Sequence, residues 1–133
     1  MVDFNHSDRL GEAEKPVLNS SAKKVIIDHH LDPESFADII ISDPSKCSTS
    51  ELLNSLIKVM NGSQFLNKPY AEAVYTGIIT DTGNFEYGNY SGDTLRTVAD
   101  LLDFGIEKDR IYNLIYKNFS ADRLKLQGFV LNE

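Results

Sequence analysis

The sequence lacks several features that would assign it to a specialised class of protein. It has one cysteine, Cys47, and no CxxC or Cys/His pair with the spacing of a zinc site, so no disulfide can form within the chain. No run approaches the roughly 18 consecutive apolar residues of a membrane helix, and the first residues do not have the pattern of a signal peptide. The sequence therefore predicts a soluble, cytoplasmic protein that does not contact a membrane, in which Cys47 is a packed or incidental thiol.

An excess of basic charge is also lacking. The 133 residues include 13 Lys and Arg against 20 Asp and Glu, a formal net charge of −7, and the acidic residues are spread along the chain. A long basic groove that follows many phosphates is not expected, which excludes long duplex nucleic acid as a partner. With 41% hydrophobic and 25% charged residues, the composition is that of an ordinary globular chain, and we expect a single domain.

The apolar residues follow two rhythms along the chain. The runs Val25–Ile27 and Ile39–Ile41 are short and β-branched, which is typical of strands buried in a parallel sheet. Residues from Ser48 onward are instead apolar at helical spacing, and Ser48 with Glu51 predicts a capping box. Further helices are predicted from Pro69 to about Asp81, after Ser91 as far as Gly105, over 107–118, and over 121–131 with Ser120 as its cap. This order predicts an α/β domain with a parallel sheet sandwiched by helices.

Polar side chains follow several of the apolar segments. Asp28, His29 and His30 come directly after the first predicted strand, while Asp3 and Asp81 follow other apolar residues. Ligands bind at the carboxyl ends of strands in open parallel sheets, although a solvent-exposed loop explains Asp28–His30 equally well, and a lone Asp is more often a helix cap. Carboxylates and imidazoles without a thiolate suit manganese, magnesium or iron better than a structural zinc.

Five segments occur in order along nearly the whole chain: VDFNHSDRLG, VIIDHH, CSTSELL, YTGIITDTGNFEY and SGDTLRTVADLLDFG. Together they resemble the DHH phosphoesterase family, and are most similar to its bifunctional oligoribonuclease/3′-phosphoadenosine-5′-phosphate phosphatase branch, also called exopolyphosphatase-related. The resemblance implies a hydrolase of short oligoribonucleotides and 3′-phosphoadenosine 5′-phosphate that activates water with two divalent cations, usually Mn²⁺, with Mg²⁺ or another divalent cation as an alternative.

The resemblance also implies roles for individual residues. Asp3 matches a carboxylate that bridges the two cations, and His29 and Asp81 match further metal ligands. His30 matches a residue that faces the substrate phosphate, and Asp28 is expected to orient a neighbouring histidine as part of the catalytic site.

Two further groups were considered for substrate binding. Arg9 lies close in sequence to Asp3 and could bind a phosphate, but a salt bridge that holds the Asp3 loop is the favoured interpretation. Phe85, Tyr87 and Tyr90 could stack on a nucleobase, but core packing or exposure at a rim is the safer expectation. His6 stands alone in a polar loop and is assigned no role.

The sequence departs from the family pattern in two places. The first family motif, an Asp-x-Asp, and the smaller C-terminal substrate-binding domain have no counterpart in it. We therefore expect residues 1–133 to be the middle to C-terminal part of a DHH domain, inactive in isolation, within a longer enzyme that could form a homodimer. An inorganic pyrophosphatase or exopolyphosphatase, a cyclic-dinucleotide phosphodiesterase, and a non-catalytic scaffold with half a metal site remain alternatives.

Overall fold

A small parallel sheet organises the domain. The computed structural model describes residues 1–88 and 90–132, and its two strands are β1 (Val25–Asp28) and β2 (Ile39–Ser42). They pair in parallel, with Val25 opposite Ile39 and Asp28 opposite Ser42. The predicted fold class, an α/β domain with a parallel sheet, is confirmed.

The N-terminal residues extend the pairing on the other side of β1. Val2 forms a parallel bridge with Ile27, and two backbone hydrogen bonds frame it. The amide of Ile27 donates to the carbonyl of Met1 and the amide of Asp3 donates to the carbonyl of Ile27, both at 3.1 Å. The chain therefore leaves this bridge at Asp3 and leaves β1 at Asp28 on the same edge of the sheet.

Six α-helices accompany the sheet in the described ranges, and none of them is long and apolar enough to cross a membrane. They are α1 (Glu14–Asn19), α2 (Thr49–Val59), α3 (Lys68–Asp81), α4 (Gly92–Leu102), α5 (Lys108–Tyr112) and α6 (Ala121–Leu131). Short 3₁₀ segments occupy Ser7–Ala13 and Ser63–Phe65, and a π-helical turn occupies Asn113–Lys117.

Most predicted helices are present, with differences at two places. Helices α2, α3, α4 and α6 lie where the sequence predicts them, and Ser120 caps α6 by accepting from the amide of Arg123. The predicted helix over 107–118 is α-helical only in α5 and continues as the π turn. Helix α1 and the 3₁₀ segment before it were not predicted, because this polar stretch has no apolar periodicity and contains Pro16.

The predicted capping box of α2 is half correct. Ser48 accepts a hydrogen bond from the amide of Glu51 at 3.1 Å, as expected. The side chain of Glu51 does not return to Ser48 but accepts from the amide of Cys47 and from the hydroxyl of Thr94. A complete capping box occurs instead at α4, between Ser91 and Thr94.

The main core lies between α3, α4 and α5. It contains the buried residues Cys47, Ala71, Val74, Tyr75, Ile78, Ile79, Leu101, Ile106 and Ile111. Cys47 is packed, as predicted. Burial and the neighbouring charge of Glu51 raise the pKa of its thiol to about 12, so it stays protonated at neutral pH.

The apolar spacing of the sequence predicts that Ala73 faces the core from α3 and that Leu95, Val98, Ala99, Leu101 and Leu102 are buried on α4. Ala73, Leu95, Ala99 and Leu102 are exposed instead, as is Met60 at the end of the apolar face of α2. The buried residues of α4 are Thr94 and Leu101, which are 1% and 2% exposed. The buried face of the helix differs from the face that its apolar residues alone would predict, because the hydroxyl of Thr94 donates to the buried Glu51.

Helices α2 and α3 approach closely at Gly77. A Cβ atom at this position would collide with the side chain of Ser50, coming within 2.6 Å of its Cβ.

Changing Gly77→Ala should lower the free energy of unfolding by about 1–3 kcal/mol through overpacking. The matched control is Gly128→Ala on α6, where a Cβ would meet nothing within 4 Å; this change should leave the free energy of unfolding unchanged or raise it by up to about 1 kcal/mol. Urea denaturation followed by circular dichroism measures both, and equal effects of the two changes would contradict the packing argument.

Candidate metal centre

Asp28, the last residue of β1, is fully buried and holds His30 in place. Its Oδ1 lies 2.7 Å from Nδ1 of His30, and its Oδ2 accepts from the backbone amide of His30 at 3.0 Å. The carboxylate can accept but not donate, so Nδ1 of His30 carries the proton in this contact. Nε2 is then the ring nitrogen of His30 that is left for another partner.

His29 is held in a corresponding way by a backbone group. Its Nδ1 lies 3.2 Å from the carbonyl oxygen of Lys46, so this nitrogen donates and Nε2 carries the free lone pair. Nε2 lies 3.9 Å from Oδ1 of Asp3 and 3.6 Å from Oδ2 of Asp81. The side chain of His29 is 18% exposed. Three separate parts of the chain thus converge at this nitrogen.

Asp3 is positioned by its backbone and by α2. Its φ of 69° lies in the left-handed region, which Asp tolerates better than most residues. The hydroxyl of Thr49, the first residue of α2, donates to Oδ1 of Asp3 at 2.8 Å. Asp3 is therefore fixed by a turn after the sheet bridge and by a hydrogen bond to a helix 46 residues away in sequence.

Asp81 is the last residue of α3 and lies in an unfavourable place for a negative charge. Burial raises the pKa of its carboxyl group and the charge of Asp3 raises it further, while His29 and His30 lower it. The carboxyl end of a helix also carries partial negative charge. A cation at this point would offset all of these costs.

The donor set fits a divalent cation. With Nδ1 of His29 donating to Lys46, its Nε2 and the carboxylates of Asp3 and Asp81 are all acceptors, and their separations of 3.6 and 3.9 Å are too long for hydrogen bonds. Ligand atoms of Asp3, His29 and His30 also lie within 4.8 Å of one another. Oxygen and imidazole donors of this kind suit manganese, magnesium or iron.

A pocket of about 510 Å³ opens beside these side chains, a volume in the range of small-molecule sites. It is lined by Asn5, His29, His30, Leu31, Pro44, Lys46, Cys47, Asp81 and Gly88. His29, His30 and Asp81 therefore face one cavity. Asp3 lines a second cavity of about 250 Å³, which Asp81 shares with the first.

Arg9 is not among the residues that line the pocket. It is exposed, and within the described ranges it makes no ion pair with Asp3 or Asp8, so the expected salt bridge that holds the Asp3 loop is not formed. Lys46, to which the sequence analysis assigned no role, lines the pocket instead. No motif or spacing identified Lys46, because its place depends on the loop between β2 and α2.

The three aromatic residues considered for base stacking lie outside the residues that line the pocket. Phe85 is half-buried against the core and packs edge-on against Tyr90, with ring centroids 5.5 Å apart. Tyr87 and Tyr90 are exposed. Core packing for Phe85 and rim exposure for the two tyrosines agree with the safer expectation.

The buried Asp28 paired with His30, and acceptor atoms that face one another at the edge of a parallel sheet, define a candidate metal centre. Residues 1–78 match the DHH family, N-terminal domain. The chain belongs to the DHH family.

Individual relatives agree with this assignment. The chain is 30% identical to the bifunctional oligoribonuclease and PAP phosphatase NrnA of Bacillus subtilis, over 98% of its own length and 41% of that protein. It is 32% identical to the cyclic-di-AMP phosphodiesterase PdeA of Listeria monocytogenes, over 67% of its length and 13% of that protein. The crystal structure of an exopolyphosphatase-related protein from Bacteroides fragilis superimposes with a TM-score of 0.92 and 43% identity, covering 98% of this chain and 38% of the other.

The repulsion at Asp81 generates a prediction with two opposite effects. Because the pKa of Asp81 is raised, its ionisation costs stability, and this cost is absent below the ordinary Asp pKa and complete at neutral pH. Asp81→Asn should therefore raise the free energy of unfolding of the metal-free protein at neutral pH by up to about 1 kcal/mol, a small value because solvent screens this partly exposed group. The same change should reduce or abolish the increase in Tm caused by Mn²⁺, because it removes a ligand.

Thermal melts with Mn²⁺ and with a chelator measure both effects. The matched control is Asp8→Asn, which removes one exposed carboxylate away from the site and should leave the Mn²⁺-induced shift unchanged. A full Mn²⁺-induced shift in Asp81→Asn would contradict the assignment of Asp81 to the metal centre.

Proposed function

We propose that the protein is a metal-dependent phosphoesterase that hydrolyses short oligoribonucleotides and the 3′-phosphate of 3′-phosphoadenosine 5′-phosphate. One observation carries the proposal: the carboxylates of Asp3 and Asp81, from two separate segments, each lie within 4 Å of Nε2 of His29, beside His30. Membership of the DHH family and the likeness to the Bacillus subtilis enzyme support the choice of substrates. The chain spans 41% of the length of that relative, so the activity refers to the full-length gene product.

Asp3, His29 and Asp81 are the residues that would hold a divalent cation, with Mn²⁺ as the expected metal. When bound, the cation would lower the pKa of a water molecule and offset the negative charge that builds on the phosphoryl oxygens. The chain's own contribution is to hold these acceptors in place, through Thr49 on Asp3 and the carbonyl of Lys46 on His29.

His30 is proposed to contact the substrate phosphate. Asp28 binds its Nδ1 and its backbone amide, so the ring has a defined orientation and Nε2 remains for the ligand. When the ring is protonated, Nε2 donates a hydrogen bond to a phosphoryl oxygen, and the buried carboxylate of Asp28 balances the charge of the imidazolium.

Lys46 is proposed to supply a cationic contact for a phosphate group. Among the described residues that line the pocket, Lys46 is the one Lys or Arg, and its ammonium group can contact a phosphate. Its Nζ lies 3.9 Å from Oε1 of Glu51, and the side chain is 24% exposed. It is therefore close to the cavity and oriented by a buried carboxylate.

Asp3→Asn tests the metal-dependent mechanism. This change preserves the size of the side chain but removes the negative charge that a shared cation needs, so kcat of the full-length gene product should fall by roughly a hundredfold or more with little change in Tm. The control His6→Asn changes an exposed residue outside the pocket and should retain wild-type kcat. Activity that survives the Asp3 change or a chelator would overturn the mechanism.

A substrate panel tests the choice of substrates. The full-length protein is assayed on a ribonucleotide dimer, 3′-phosphoadenosine 5′-phosphate, pyrophosphate and a cyclic dinucleotide, each with Mn²⁺ and with a chelator. We expect metal-dependent cleavage of the first two. Cleavage of the cyclic dinucleotide alone would favour the function of the Listeria relative, and cleavage of pyrophosphate alone would favour an exopolyphosphatase-related function. No cleavage at all would favour a non-catalytic scaffold.

Lys46 and Arg9 make different predictions about phosphate binding. Lys46→Gln removes a charged hydrogen-bond donor from the pocket and should raise KM for 3′-phosphoadenosine 5′-phosphate by roughly tenfold, with a smaller effect on kcat. Arg9→Gln is the matched control and should change KM by less than about twofold, because Arg9 is exposed outside the pocket lining. Steady-state kinetics measure KM for both variants. A larger increase in KM for Arg9→Gln than for Lys46→Gln would show that Arg9, and not Lys46, contacts the phosphate.

A further inference from the structure

We infer that Glu51 is a positioning residue of the metal centre, acting on His29 through the peptide group between Lys46 and Cys47. This inference deepens the proposed function and rests on it for its meaning in catalysis. Glu51 itself makes no hydrogen bond or ion pair with Asp3, His29 or Asp81.

The carboxylate of Glu51 is buried and fully engaged. It is 1% exposed, its Oε2 accepts from the amide of Cys47 at 2.9 Å, and its Oε1 accepts from the hydroxyl of Thr94 at 3.0 Å. Nζ of Lys46 lies 3.9 Å from Oε1. A buried carboxylate is costly unless it is paired in this manner, so these contacts also explain how Glu51 remains in the interior.

The peptide group that Glu51 binds is the one that holds His29. The amide nitrogen of Cys47 and the carbonyl oxygen of Lys46 belong to a single peptide unit, which is planar and trans. Glu51 accepts from its N–H, and Nδ1 of His29 donates to its C=O at 3.2 Å. The N–H and C=O of a trans peptide point in opposite directions, so the unit is held between the carboxylate and the imidazole.

Two consequences for His29 follow from this chain of hydrogen bonds. The rigid peptide plane fixes the carbonyl that selects the tautomer with the proton on Nδ1, which leaves Nε2 free for the metal. The negative charge of Glu51 also polarises the peptide, which makes the carbonyl a stronger acceptor and His29 a stronger ligand. The chain of hydrogen bonds thus begins at the carboxylate of Glu51 and passes through the N–H and C=O of the peptide to Nδ1–H of His29. The other ring nitrogen, Nε2, faces Asp3 and Asp81.

The test compares two variants of Glu51 with a control on the same helix. Glu51→Gln can still accept from the amide of Cys47 but carries no charge, and Glu51→Ala removes both the acceptor and the charge. The control is Asn54→Ala, which removes a side chain that is 2% exposed and accepts from the hydroxyl of Tyr70 at 2.8 Å. It loses a buried hydrogen bond from α2 without touching the peptide before Cys47.

The first measurement is the long-range proton–nitrogen NMR spectrum of the imidazole rings of the metal-free 133-residue chain, recorded at about pH 8, where histidine is mainly neutral. We expect His29 in the wild type to carry its proton on Nδ1. The Nδ1 proton signal should move upfield in Glu51→Gln, and the ring should become a mixture of tautomers in Glu51→Ala. Asn54→Ala should show the wild-type signals.

The second measurement is the Kd for Mn²⁺ of the full-length gene product by calorimetry. Affinity should fall about tenfold in Glu51→Ala, the lower end of the effects seen for residues that orient metal ligands, and only about threefold in Glu51→Gln, which keeps the hydrogen-bond acceptor. Affinity should be unchanged in Asn54→Ala. Wild-type His29 signals in either Glu51 variant that folds would overturn the inference, and Glu51→Gln, nearly the same size as Glu, serves if the alanine variant does not fold. If the full-length wild-type protein binds no Mn²⁺, the metal-dependent function is overturned, while the NMR comparison still decides the role of Glu51.

Discussion

The candidate site depends on two backbone hydrogen bonds between the N-terminal residues and β1. They hold Met1 and Asp3 on either side of Ile27, and because the pairing is parallel, the chain leaves the bridge and the strand on the same edge. This places Asp3 beside His29, which follows the same strand. Strand direction therefore brings Asp3 and His29 together, while Asp81 reaches them from the end of α3.

Helix α2 and the loop before it orient Asp3 and His29, the candidate ligands that the sheet brings together. Its first residue, Thr49, binds Asp3, and the loop immediately before it supplies the carbonyl that binds His29. Glu51, in the first turn, fixes this loop from the inside and links it to Thr94 on α4. The site thus combines a cluster of mutually repelling carboxylates with a rigid support, as expected where stability is given up locally for function.

The sequence predicts those parts of the fold that depend on local patterns. The β-branched runs predict both strands. Apolar spacing together with Ser48, Pro69, Ser91 and Ser120 predicts four helices near their observed bounds. Helix α1 was not predicted because its segment has no apolar period of its own. Residues 113–117 were predicted as helix, and only their π form was not. The buried side of α4 was wrongly placed because Thr94, a polar residue, is buried by a partner 43 positions away.

The same distinction applies to the candidate site. Residues that follow apolar segments could be chosen from the sequence, and their order along the chain indicated a family. The contacts that orient them could not be chosen, because Thr49 with Asp3 and the peptide before Cys47 with His29 join parts of the chain far apart in sequence. Lys46 could not be predicted as a pocket residue for the same reason. Arg9 was a candidate for phosphate binding only because it lies near Asp3 in sequence.

The left-handed backbone at Asp3 restricts which residues can occupy this position. At a φ of 69°, Gly, Asn and Asp are accommodated with little strain, while longer and β-branched side chains are disfavoured. Of the three that fit, only Asp brings a negative charge. Glu would keep the charge, but it would be strained in the left-handed backbone conformation, and its longer side chain would place the carboxylate farther from the backbone. Asp3→Glu is therefore conservative in charge but not in structure. Position 3 is thus restricted by the conformation of the main chain and, in the proposed metal centre, also by the need for a negative charge.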